Sequence, residues 1–193
     1  MKLGELKKID LRDVWQHEEY NFSKWLAEER NIELLSNEIG IEFDNIQTEA
    51  PSGRYSVDII AEEEGTGRKI IIENQLEMTD HNHLGKIITY ASGYDADIVL
   101  WLVKEFREEH KQAVDWLNEN TNSKINFFLI RIELWQIDDS PVAPKFNIVS
   151  QPNDWAKALK ENQKEGRLSD IKMMQLDFWN KFRTYCEDQK SKL

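Results

Sequence analysis

The first forty residues carry apolar side chains at helical spacing. Trp15, Phe22 and Trp25 share one face of a predicted helix over residues 13–26, together with one of the two adjacent acids at positions 18 and 19. The apolar pattern resumes over residues 32–39, which indicates a helix with a break near Asn31. Gly40 follows the last apolar position and predicts the helix end.

The next part of the chain favours three strands. Residues 43–51 predict a short strand that Pro51 ends. Residues 57–76 read VDIIAEEEGTGRKIIIENQL, in which two apolar runs flank an acidic turn with two glycines. This arrangement is typical of a β-hairpin.

From residue 79 onward, helical and strand patterns alternate. A helix capped by Thr79 or Asp80 runs to about Gly93. Residues 97–103, which are apolar from Ile98 onward, predict a buried strand. An amphipathic helix over residues 107–121 follows, with Ala113, Trp116 and Leu117 predicted to point inward, and then strands over 125–137 and 144–152. The order predicts an α/β fold in which a mixed central sheet is flanked by helices.

The character of the chain changes near residue 153, where a charged helical pattern begins. We therefore expect two parts, a sheet domain over residues 1–155 and a helical C-terminal appendage over residues 156–193.

Each strand of the predicted hairpin carries one acid inside its apolar run, Asp58 and Glu73. A turn centred between Gly65 and Thr66 would place the two acids opposite each other, with Gln75 on the same face as Glu73. Carboxylates across a ladder repel, and a divalent cation with oxygen ligands is the simplest compensation. The pair therefore makes a candidate metal site.

A second interpretation of the two acids needs no metal. Glu73 would be a solvated residue at a sheet edge, and Asp58 would form an ion pair with Arg54 or Lys69. The spacing of the acids is compatible with both interpretations.

Composition narrows the class of protein. A net charge of -11 over 193 residues argues against a protein that coats nucleic acid, but not against an enzyme that gathers acids around a cation. A single cysteine excludes an internal disulfide and a cysteine-rich zinc site. No apolar run approaches membrane-spanning length and no secretory signal opens the chain, so we expect a cytoplasmic protein without a membrane partner.

The order of elements over residues 20–150, with the hairpin motif, resembles the PD-(D/E)XK, or restriction-endonuclease-like, nuclease superfamily. In that superfamily a helix precedes a β-meander whose second strand carries an Asp and whose third carries Glu-x-Lys. Here Asp58 matches the Asp, Glu73 the Glu, and Gln75 stands in the Lys position. The chain also looks like uncharacterised bacterial proteins that join such a nuclease-like module to a helical C-terminal domain.

The resemblance implies that Asp58 and Glu73 bind Mg²⁺ or Mn²⁺ and that the protein hydrolyses DNA phosphodiester bonds. It implies that Gln75 positions water, although an amide stabilises developing charge less well than the family lysine. Lys86, on the following helix, is a candidate replacement for that charge. Glu38 matches a glutamate that some members use beside the metal. Ordinary surface roles for Lys86 and Glu38 remain alternatives.

Gln75 and the acidic net charge also suit a second function, a nuclease-like scaffold that no longer cleaves and acts as a nucleic-acid-binding or regulatory module. A third possibility is a unit that forms a homodimer within a larger protein. Other chemistry lacks support: His81 and His83 have no further zinc ligands nearby, and the glycines at 65 and 67 lack the lysine and spacing of a phosphate-binding loop.

Overall fold

The computed structural model describes residues 3–52, 55–121 and 124–152. The chain divides into two units, Met1–Asn153 and Asp154–Leu193. The described residues all belong to the first unit, so the predicted helical appendage over 156–193 lies outside them.

Within the described residues, seven strands form one sheet. Antiparallel and parallel pairs are both present, because β4, β5 and β6 run parallel while the remaining pairs are antiparallel. The strands are β1 (Leu6–Ile9), β2 (Phe43–Ser52), β3 (Tyr55–Glu63), β4 (Lys69–Met78), β5 (Ile98–Glu105), β6 (Asn126–Ile137) and β7 (Ala143–Ser150).

The helical segments lie between these strands. The segment before β2 consists of several short pieces, whereas the two helices after β4 are single and regular. The helices are α1 (Leu11–Val14), α2 (Lys24–Ala27), α3 (Glu29–Ile39), α4 (His81–Tyr94) and α5 (Glu108–Asn120), and a π-helical segment covers Glu18–Ser23.

The strands follow the order β2-β3-β4-β5-β6, and β6 also pairs with β1 and β7. The first half of β6 pairs with β5, and its last residues pair with β1 along the same edge, while β7 occupies the other edge. The central strand β5 is fully apolar from Ile98 to Val103 and is buried throughout, as expected for a strand with parallel neighbours on both sides. The α/β class with a mixed central sheet flanked by helices is confirmed.

The two faces of the sheet carry different helices. The side chains of Ile71, Val99 and Trp101 form a buried cluster with residues of α4 and α5. The π-helical segment contacts β3 and β4, and Asn74 of β4 hydrogen-bonds Ser23. Because neighbouring residues of a strand point to opposite faces, the N-terminal helices cover the face that α4 and α5 leave open.

The helix break falls three residues before the predicted position. Glu28 has an extended backbone, φ -67° and ψ 135°, and separates α2 from α3. Asn31 stabilises this break, since its side-chain amide donates to the Trp25 carbonyl at 2.7 Å and to Glu28 Oε2 at 3.0 Å. Gly40 ends α3 with φ +73°, as predicted.

Two other features differ from the sequence expectation. Strand β1 was not predicted, because its four residues LKKI carry two exposed lysines and acquire their role only by pairing with β6. Trp116, predicted to face the core, is 59% exposed, and α5 instead buries His110 and Val114. In the described part of the chain, no helix has the length and apolar character required to cross a bilayer.

Candidate functional site

The hairpin register brings Asp58 and Glu73 together. Ile59 pairs with Ile72 and Ile60 with Ile71, which is the register predicted for a turn between Gly65 and Thr66. Beyond these pairs a side-chain hydrogen bond takes the place of the backbone pairing between the two strands. Asp58 Oδ2 accepts the backbone N–H of Asn74 at 2.7 Å. Asp58 is thereby fixed beside Glu73 at the point where the regular pairing stops.

Glu73 is buried, with 2% of its surface exposed, and lies on the sheet face that α4 covers. Lys86 of α4 donates from Nζ to Glu73 Oε1 at 2.7 Å. The second oxygen, Oε2, is buried and has no hydrogen-bond partner among the described residues. The interpretation of Glu73 as a solvated edge residue is therefore wrong.

Both carboxyl groups hold protons more tightly than usual. Burial, followed by the charge of Asp58, raises the pKa of Glu73 to about 7. Burial also raises the pKa of Asp58 to about 6, against the opposing effect of the Asn74 N–H. The pair is therefore costly as two anions, and positive charge placed between them would stabilise the ionised forms.

The cationic side of the site comes from α4. Burial alone would lower the pKa of Lys86, but its hydrogen bond to Glu73 and the charge of that carboxylate raise the pKa above its usual value. Lys86 is therefore an ammonium donor at neutral pH and not a base. His83 lies beside it, with Nε2 4.0 Å from Glu73 Oε1 and Nδ1 3.0 Å from Asp80 Oδ1.

Gln75 is buried and enclosed by hydrogen bonds. Its Nε2 donates to the Met78 carbonyl and to Asp80 Oδ2, both at 2.8 Å, and its Oε1 accepts from Trp101 Nε1 at 3.2 Å. Both amide hydrogens are thus engaged by the fold, which leaves one lone pair on Oε1. The water-positioning role stays a prediction, and in this arrangement it would fall on that oxygen.

This enclosure predicts that Gln75→Lys will destabilise the protein. A lysine would retain donors for Met78 and Asp80 but would leave the buried Trp101 N–H without an acceptor, at a cost of about 1–3 kcal/mol. We expect urea unfolding to show this loss. Gln47→Lys, the same change on an exposed position of β2, should leave stability nearly unchanged. A Gln75→Lys variant as stable as the parent would contradict the enclosure of Gln75.

A third carboxylate, Glu18, belongs to the site and was not identified from the sequence. Its charge raises the pKa of both Asp58 and Glu73, and Arg12 binds its Oε1 at 2.8 Å. Glu18 is the first residue of the π-helical segment. Its position four residues before the buried Phe22 was the available signal, since an acid on a buried stripe needs an explanation.

The remaining candidate residues lie elsewhere. Glu38 is exposed near the end of α3, and its predicted role beside a metal stays a prediction. Lys69 Nζ donates to the Tyr94 carbonyl, so the proposed pairing of Lys69 with Asp58 is not formed. Arg54, the other proposed partner of Asp58, lies outside the described residues.

His81 and His83 diverge. His81 Nδ1 lies 2.8 Å from Nε2 of the buried His110, whereas His83 faces Asp80. Nδ1 of His110 contacts Thr79 Oγ1 at 2.8 Å. These contacts tie the start of α4 to α5, so the two histidines do not chelate one ion.

The donor set fits a magnesium-like cation. Two adjacent carboxylates, one with a buried oxygen that lacks a partner, match the one or two protein carboxylates that Mg²⁺ takes alongside water and substrate phosphate. In the described part of the chain, no three acidic, histidine or cysteine side chains converge as a complete metal site. The protein would therefore supply only part of the coordination shell.

Comparisons with known proteins do not define a family for this chain. No family model and no curated protein matches the sequence. Among solved structures, a repair endonuclease from Pyrococcus abyssi is similar with a TM-score of 0.36 and 17% sequence identity. The similarity covers 49% of this chain and 42% of that protein, so less than half of the endonuclease is spanned.

Proposed function

We propose that this protein is a divalent-cation-dependent nuclease that hydrolyses DNA phosphodiester bonds. The observation that carries the proposal is the Asp58–Glu73 pair, which the hairpin brings together and whose two pKa values are raised, chiefly by burial. Carboxylates with perturbed pKa values cluster at functional sites, and proteins bind Mg²⁺ through one or two carboxylates together with water and substrate phosphates.

Asp58 and Glu73 would hold Mg²⁺ or Mn²⁺, with Glu18 as the nearby acid that increases the attraction for a cation. When bound, the ion supplies water activation and neutralises charge on the phosphodiester. The chain provides the rest. The Asn74 N–H orients Asp58, and the Lys86 ammonium orients Glu73 and offers its remaining donors to an attacking water or a phosphate oxygen.

The acidic composition is compatible with this function. The net charge of -11 limits non-specific attraction to DNA, but the site itself presents Lys86, His83 and Arg12 beside its three carboxylates. Phosphate binding would then depend on the cation and on these few groups. We therefore expect binding to DNA to be weak without a divalent ion and stronger with it.

A cleavage assay on the full chain tests the proposal. We expect the parent protein to nick supercoiled plasmid with Mg²⁺ or Mn²⁺ and to stop when EDTA is added. Glu73→Gln should lose nicking by at least about a hundredfold, since the cation contributes several kcal/mol to the transition state. Glu33→Gln, an exposed acid of α3, is the matched control and should cleave normally.

The contrary results are distinct. Cleavage that is equal in the parent and in Glu73→Gln indicates a contaminating nuclease and removes the proposal. A parent that binds DNA without a divalent ion and never cleaves it supports the alternative of an inactive binding module.

A further inference from the structure

A buried polar contact joins β4 to the N-terminal helices directly behind the carboxylate pair. The side-chain amide of Asn74 donates to Ser23 Oγ at 2.8 Å, and the two residues are 2% and 0% exposed. Asn74 lies between Glu73 and Gln75 in sequence but faces the other side of the sheet. The contact therefore links β4 to the layer of N-terminal helices that carries Glu18.

Each of the three acids lies in a segment that Asn74 either contacts or belongs to. Its backbone N–H binds Asp58 of β3, and its own chain neighbour is Glu73 of β4. Its side chain binds Ser23, the last residue of the π-helical segment whose first residue is Glu18. A shift of this one residue would move the three carboxylates relative to one another.

Packing alone does not account for this contact. Ser23 follows Phe22, which is fully buried, and apolar side chains of similar size at both positions would avoid the cost of burying polar groups. Asn74 Oδ1 is buried without a partner among the described residues, which adds to that cost. π-helical turns are also rare and occur frequently at functional sites.

We infer that Asn74 is a positioning residue that, through Ser23, sets the distance between Glu18 and the Asp58–Glu73 pair. This inference rests on the proposed function. Arg12 binds the carboxylate of Glu18 at 2.8 Å, and Asn74 anchors the other end of the same π-helical segment. The two anchors together fix where the third negative charge stands relative to the pair.

A double replacement separates positioning from stability. Ser23→Ala alone leaves the Asn74 amide unsatisfied and should destabilise the protein, whereas Ser23→Ala with Asn74→Leu replaces both partners by apolar groups and should recover most of the stability. If Asn74 positions the acids, the double variant stays about tenfold weaker in Mn²⁺ affinity by calorimetry and slower in cleavage, as for changes in groups that orient ligands. Thr89→Ala, which removes an exposed hydroxyl of α4, is the control and should match the parent.

Each outcome decides the inference. A double variant with parental stability, parental Mn²⁺ affinity and parental cleavage rate overturns the positioning role and leaves the proposed function intact. A double variant that stays unstable also overturns it, because the contact then serves packing. A parent that neither binds Mn²⁺ nor cleaves DNA removes the proposed function and this inference together.

Discussion

Replacing Asp58 with asparagine is expected to abolish cleavage and yet to raise the free energy of unfolding of the metal-free protein at about pH 8 by about 1–3 kcal/mol. Burial raises the pKa of Asp58 to about 6 in the folded protein, above its ordinary value of 3.8. The folded state thus binds the proton more tightly than the unfolded chain. The stabilisation that comes from this tighter proton binding is complete below about pH 4 and is lost as the pH rises through about 6.

The Asp58→Asn variant does not lose stability in this way as the pH rises. It keeps the local hydrogen bond, because the asparagine oxygen still accepts the Asn74 N–H. Urea unfolding in EDTA, at about pH 5 and about pH 8, measures the effect. The difference between variant and parent should grow with pH, and Glu33→Gln should show no such growth. An Asp58→Asn protein that is less stable than the parent at the higher pH would mean that the carboxylate is well compensated.

Replacing Lys86 with methionine should have the opposite effect on stability. The ammonium lies 2.7 Å from Glu73 Oε1, and its loss leaves a buried carboxylate without a counter-charge. The pKa of Glu73, already about 7, should rise further. We expect a loss of about 1–3 kcal/mol at about pH 8, below the full cost of breaking a buried pair because Glu73 can take up a proton. At about pH 5 the loss should shrink for the same reason.

The same variant separates the roles of lysine and acid. Cleavage should fall at least about tenfold, because a donor to the developing charge is lost, whereas Mn²⁺ affinity should not fall, since Lys86 competes with a cation for Glu73. Lys111→Met, which breaks the part-buried pair with Asp115 on α5, is the matched control. A Lys86→Met protein with weaker Mn²⁺ binding and unchanged stability would contradict this assignment.

The hairpin was predictable from the sequence because every local signal agrees. Two apolar runs flank a turn whose glycines adopt positive φ, +77° at Gly65 and +68° at Gly67. The register of the two strands follows from the burial of Ile59 and Ile71. The predicted opposition of Asp58 and Glu73 extends that register by one pair, beyond Ile59 and Ile72, where the regular pairing stops. Local pattern thus defines the part of the site that lies within one hairpin.

The rest of the site depends on tertiary contacts. Glu18 begins a π-helical segment, and the N-terminal helices break again at Glu28; a periodic pattern indicates neither feature. The enclosure of Gln75 depends on Trp101, which comes from another strand. Lys86 could be predicted as a candidate because it lies on the helix that follows the hairpin motif. Its contact with Glu73 was inferred from the way this helix packs in the fold.

Titration of the full chain with Mn²⁺ by calorimetry, at about pH 7.5, tests most directly whether Asp58 and Glu73 share a cation. The account predicts one site in the parent, at least about tenfold weaker binding in Asp58→Asn, and unchanged binding in Glu33→Gln. Equal Mn²⁺ affinity in the parent and in Asp58→Asn, or no binding by the parent, would contradict it.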